Sequence, residues 1–105
     1  MTLQELVLIL RESGYPVAYS HFTGAAPSIP FICYVDAFSS NFKADNVVWK
    51  RGRNIQIELY TNKKDLQAES TLEGLLNANE LPFEDTEVYI EEEKLFQKIY
   101  EVRLN

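Results

Sequence analysis

Seven residues near the middle of the chain, Asn54-Ile55-Gln56-Ile57-Glu58-Leu59-Tyr60, alternate strictly between apolar and polar or amphipathic side chains. A period of two is the signature of a β-strand with one face buried. It places Ile55, Ile57 and Leu59 on a core side, and Gln56, Glu58 and Tyr60 on the other. A domain built around this strand must contain a sheet and something to cover its apolar face.

The flanking residues extend the reading. Val47-Val48-Trp49 predicts a preceding strand, and Gly52 supplies the positive φ of a tight basic turn, Lys50-Arg51-Gly52-Arg53. Asn62 to Asp65 breaks the alternation, and Asp65 is placed to cap a second helix. In that helix Ala68, Leu72, Leu75, Leu76 and Asn79 share one face, with Glu69 and Glu73 expected to point away; Pro82 lies beyond its end. At the start of the chain, Thr2 and Glu5 form a capping box. Leu3, Leu6, Val7 and Leu10 then make an apolar stripe, and Gly14 and Pro16 stop the helix, predicting residues 3–13.

Residues 17–22 predict a brief strand and 23–30 a loop with Gly24, Pro27 and Pro30. Phe31 to Ala37 is aromatic and β-branched, and its continuous apolarity predicts an interior strand. Residues 39–46 are polar and loop-like. Glu87 to Ile90 and Leu95 to Leu104 are the final strands, joined near Glu91 to Lys94. Phe96, Lys98, Tyr100, Val102 and Leu104 share one face of the last strand, and Leu95, Gln97, Ile99, Glu101 and Arg103 the other. The expected fold is therefore α+β: a mostly antiparallel sheet of four to five strands with two helices, in the order α-β-β-β-α-β-β. At 105 residues the chain is expected to be a single domain.

Chemistry-bearing residues are sparse. Cys33 is the single cysteine, so no internal disulfide can form, and its apolar setting predicts a buried thiol. His21 is the single histidine; beside Ser20 on a strand it would point to the opposite face, away from a nucleophile–base pair. One histidine and one cysteine cannot make a structural zinc site, and Glu91-Glu92-Glu93 lacks the ligand spacing of a calcium loop. No phosphate-cradling glycine loop is present. The expectation is no enzyme, no cofactor and no metal. The first residues lack a basic n-region, and no run approaches a membrane span, so a soluble protein made in a cytoplasm is expected.

Charge is unevenly distributed within a net −6. Residues 80–105 hold eight acids against three bases, a balance of 3 − 8 = −5. Residues 43–64 hold six bases against two acids, a balance of 6 − 2 = +4. An acidic whole argues against tight nonspecific nucleic-acid binding. The opposed blocks point to Lys50, Arg51 and Arg53 meeting Glu91, Glu92 and Glu93 of another copy; two solvated surfaces that never meet are the simpler alternative. Phe38 and Phe42, aromatic rings within the polar 36–46 stretch, and Tyr60, opposite the core row, are candidate interface residues.

Several phrases carry a family resemblance: Gly-Tyr-Pro-Val-Ala-Tyr-Ser-His-Phe at 14–22, Pro-Phe-Ile-Cys-Tyr at 30–34, Ala-Asp-Asn-Val-Val-Trp at 44–49, Asn-Ile-Gln-Ile-Glu-Leu-Tyr-Thr-Asn-Lys-Lys-Asp at 54–65, and Tyr-Ile-Glu-Glu-Glu-Lys-Leu-Phe-Gln-Lys-Ile-Tyr-Glu at 89–101. They resemble small tail-completion and head–tail joining proteins of long-tailed phages and prophages, and the element order is similar to that of lambda-like tail terminators. The resemblance implies a structural virion protein at the tail or head–tail junction, assembled in the host cytoplasm. It implies a homo-oligomeric ring, a hexamer by analogy, partnered by tail-tube and connector proteins, with DNA passing through rather than being read. It carries no active-site residue. A small-molecule-binding or regulatory α+β module and another connector component are the alternatives.

Overall fold

The computed structural model describes residues 1–37 and 53–104. The elements run α1 (Leu3–Arg11), β1 (Val17–Tyr19), β2 (Phe31–Asp36), β3 (Arg53–Thr61), α2 (Leu66–Ala78), β4 (Phe83–Ile90) and β5 (Leu95–Leu104). The five strands form one sheet in the order β1-β2-β3-β5-β4. Every pairing is antiparallel except β1 with β2. The fold is α+β, with the expected order of elements. The strand expected at Val47–Trp49 and the turn at Gly52 lie outside the described residues.

Local chemistry explains the helix ends. Glu5 N–H donates to Thr2 Oγ1 (3.1 Å) and Thr2 N–H to Glu5 Oε1 (2.8 Å), completing the capping box. The first helix stops at Arg11, two residues short of the sequence estimate; residues 12–14 form a tightening turn that Gly14 ends at φ 85°. Asp65 caps α2 by accepting from Ala68 N–H at 3.1 Å.

β3 is the middle strand. Ile55, Ile57, Leu59 and Thr61 are all buried, alternating with half-buried neighbours. Opposite them on β5 stand Val102, Tyr100, Lys98 and Phe96. Leu6, Ile9 and Leu10 of α1 and Ala68, Leu72 and Leu76 of α2 join the same core, so both helices pack on one face of the sheet. β3 and β4 each run antiparallel to β5, hence parallel to one another, and α2 is the crossover that joins them.

Two expectations are corrected. Glu69 and Glu73 do not point away from the core. Glu69 is only 8% exposed and takes Lys64 Nζ at 2.9 Å and Lys98 Nζ at 3.4 Å. Glu73 accepts from the hydroxyl of Tyr100 at 2.8 Å, while the Tyr100 residue is fully buried. The covered face of β5 carries Lys98 and Tyr100 among its apolar residues, so the helix above must present acceptors there. Lys64 also reaches Glu87 at 2.7 Å, and hydrogen bonds to Glu87 and then Glu69 push its ammonium pKa up. β4 begins at Phe83 rather than Glu87. Phe83 packs edge-to-face on Tyr100 (centroids 5.3 Å apart), and the polar residues that follow are tolerated because β4 is an edge strand.

The expected cap and the inward-facing carboxylate differ in expected cost. Asp65→Ala removes one cap and is expected to cost about 1 kcal/mol. Glu69→Ala takes the nearer carboxylate from the largely buried Lys98 and one of two from Lys64, and is expected to cost about 2 kcal/mol. Urea denaturation of both variants checks the order; Glu69→Ala no costlier than Asp65→Ala would contradict the inward placement of Glu69.

Candidate functional site

The second face of the sheet carries no helix among the described residues. It presents Phe31, Cys33 and Val35 from β2, Gln56, Glu58 and Tyr60 from β3, and Gln97 and Ile99 from β5, as the pairing register requires. Cys33 is buried, as its apolar setting predicts, and the other residues of this face are half-buried rather than solvated. Phe31 stacks on Tyr60 with centroids 4.9 Å apart, and Phe22 meets Phe31 edge-on at 5.4 Å. The Tyr60 hydroxyl donates to Glu58 Oε1 at 3.0 Å and accepts from Gln97 Nε2 at 2.8 Å. Tyr60 is thus fixed in orientation by contacts on both neighbouring strands.

Glu58 was not singled out in the sequence, where alternation places it simply on the polar side. In the structure it is a half-buried carboxylate with Cys33 and Ile99 as cross-strand neighbours. Burial raises its pKa, and the hydrogen bond from Tyr60 partly offsets that rise. Tyr60 is pushed up in turn, by burial and then by the charge of Glu58. The Cys33 thiol is pushed up to about 11 by burial and by Glu58, so it keeps its proton at neutral pH and is a poor nucleophile.

The candidate charges fall at opposite ends of this sheet. Arg53 opens β3, exposed, with its guanidinium 3.8 Å from Asp36. Glu91, Glu92 and Glu93 are all exposed in the turn joining β4 to β5. Arg53 pairs with Leu104 at one end of β5, while Leu95 at the other end adjoins that turn. Nine residues of β3 at about 3.3 Å each separate the ends by roughly 30 Å. Within one copy they do not meet. Lys50, Arg51, Phe38 and Phe42 lie outside the described residues, as does most of the 36–46 stretch.

A cavity of about 310 Å³ opens beside the acidic turn, lined by Ser20, His21, Phe31, Cys33, Tyr60 and Glu93 among others. The pairing of Ser20 with His21 differs from the sequence expectation. β1 ends at Tyr19, and Ser20 turns the chain at φ 68°, which brings His21 Nδ1 to 3.2 Å from Ser20 Oγ. Both side chains are exposed, and among the described residues no carboxylate is hydrogen-bonded to His21. No group of three or more His, Cys, Asp or Glu residues among those described is placed to hold a metal ion. No helix among the described residues is long and apolar enough to cross a membrane. No family model, characterised protein or solved structure matches the chain.

The raised thiol sets a pH dependence. Unfolded, Cys33 loses its proton near 9.0; folded, it keeps it to about 11. Between those values the unfolded chain binds fewer protons, so stability falls as pH rises. Tyr60 and Tyr100, also raised, act in the same direction at higher pH. The urea midpoint is expected to be lower at pH 10 than at pH 8.5, and Cys33→Ala is expected to reduce that fall.

Proposed function

We propose that this protein is a structural subunit of a bacteriophage or prophage tail, which completes or caps the tail tube and helps to join tail to head as a closed ring. Its work is to fit against copies of itself and against tube and connector proteins, with no substrate transformed. The sequence phrases quoted above support the phage reading. The observation that carries the ring is the placement of Arg53 and of Glu91 to Glu93 at opposite ends of one sheet. A closed ring needs a heterologous contact, in which one patch meets a different patch on the next copy. Opposite charges at opposite ends provide such a pair, setting register and approach rate more than affinity.

The aromatic second face supports the same reading. Phe31, Tyr60 and Ile99 lie on a surface that both helices leave uncovered. Tyrosine held rigidly on such a surface is favoured at interfaces, because little side-chain entropy remains to be lost. The cavity beside His21 is the feature that favours the rival reading as a small-molecule module.

Charge reversal at Arg53 (Arg53→Glu) is expected to slow assembly about tenfold at low salt, with partial rescue by Glu91→Lys, Glu92→Lys and Glu93→Lys in the same chain. Particle mass against time, by light scattering, checks this; unchanged assembly in the single reversal counts against the charge pairing. Electron microscopy of particles made without the protein checks its place: free tails of uncontrolled length, or filled heads without tails, are expected. Complete infectious particles would overturn the assignment.

A further inference from the structure

The two edges of the sheet differ in kind. β1 is three residues long and offers little to a further strand. β4 spans eight residues, Phe83–Ile90, and pairs with β5 in unbroken register from Phe83↔Val102 to Ile90↔Leu95. Its outer edge has no strand beside it among the described residues. Edge strands are ordinarily protected by brevity, charged side chains, a bulge, proline or a covering segment, and among the described residues β4 has of these only charge. β4 contains no proline and no bulge, and residues 84–89 are all exposed. Along such a strand alternate residues turn their N–H and C=O groups outward, a template about 26 Å long.

We infer that the β4 edge is a docking site for an extended, basic segment of another protein, which adds to the sheet as a sixth strand. Main-chain hydrogen bonds would supply the affinity, and alternate side chains the selectivity. Charge identifies the occupant. β4 carries Glu84, Asp85 and Glu87 and no base; Lys64 holds Glu87 and Lys98 lies 4.0 Å from Asp85, so the charge offered to an added strand is chiefly that of Glu84. Glu84 stands directly across from Glu101 of β5, a like-charged pair that disfavours itself. A lysine or arginine in an added strand, next to Glu84, relieves that repulsion. Towards the other end Val88 and Tyr89 are 41% and 46% exposed, and they offer apolar contact to the same strand.

A second copy is the wrong occupant. Two β4 strands paired antiparallel about their centres would bring Glu84 of each copy diagonally beside Glu87 of the other. The acids therefore guard the edge against self-association while leaving it open to a basic strand. The contact is separate from the charges of Arg53 and of the acidic turn, so it stands or falls independently of the ring.

The test uses the whole protein and a ten-residue peptide alternating lysine and valine. Binding is read by amide hydrogen exchange followed by NMR. The peptide is expected to slow exchange of β4 amides about tenfold or more, and Glu84→Lys is expected to weaken its binding at least about fivefold at low salt. A peptide alternating glutamate and valine, and the lysine peptide methylated on every backbone nitrogen, are both expected to leave β4 exchange unchanged. Three results would overturn the proposal: no protection at millimolar lysine peptide, equal protection by the methylated peptide, or a dimer of the protein alone that protects β4.

Discussion

β3 is the strand that every other element refers to. It lies between β2 and β5 in the sheet, and its buried row of Ile55, Ile57 and Leu59 is the floor on which both helices rest. A shift of one residue would send that row to the opposite surface and bring Gln56, Glu58 and Tyr60 under the helices. The cost of burying a carboxyl and an amide without partners there is of the same order as the marginal stability of a domain this size. Strand register is therefore set by β3, and the neighbours inherit it through their pairings.

The same strand divides the molecule into two surfaces of different character. The helix-covered side is packed like an ordinary core. The other side is a patchwork in which Phe31 stacks on Tyr60, while Glu58, Tyr60 and Gln97 form a short chain of hydrogen bonds. Such a surface is rigid without being sealed. Rigid aromatic groups with fixed polar tips suit contact with another macromolecule better than a mobile polar surface would. This is the physical common ground between the α+β fold and the assembly role proposed for it.

Where the sequence was legible, the reason is periodicity. Alternation located β3 and the two faces of β5, and the cap residues Thr2 and Asp65 marked the starts of both helices. Where it was not, pairing decided the matter. Glu69 and Glu73 read as a solvated stripe because helical spacing alone cannot reveal that Lys98 and Tyr100 stand beneath them. The first half of β4 is polar because it lies on an edge, and edge position depends on strand order, which no local pattern carries. His21 meets Ser20 because a left-handed residue ends β1 at Tyr19, three positions before the Phe22 of the strand reading. The charges of the candidate interface are visible as blocks, but the placement of Arg53 and of Glu91 to Glu93 at opposite ends required the register of β3 on β5.

The carboxylates under α2 have a bearing on how the sheet reaches its final alignment. Leucine and isoleucine can substitute for one another in a rough collapse, so an apolar floor tolerates near misses. Glu69 and Glu73 are less forgiving: the second cation of Glu69 and the hydroxyl donor of Glu73 are in place only when Lys98 and Tyr100 arrive on the helix side of β5. A strand displaced by one position would put Gln97 or Ile99 where Lys98 stands and Ile99 or Glu101 where Tyr100 stands, so Glu69 would lose one cation and Glu73 its hydroxyl donor. The polar pairs thus act as a check on chain alignment that oily contacts cannot perform, distinguishing the correct structure from its nearest competitors.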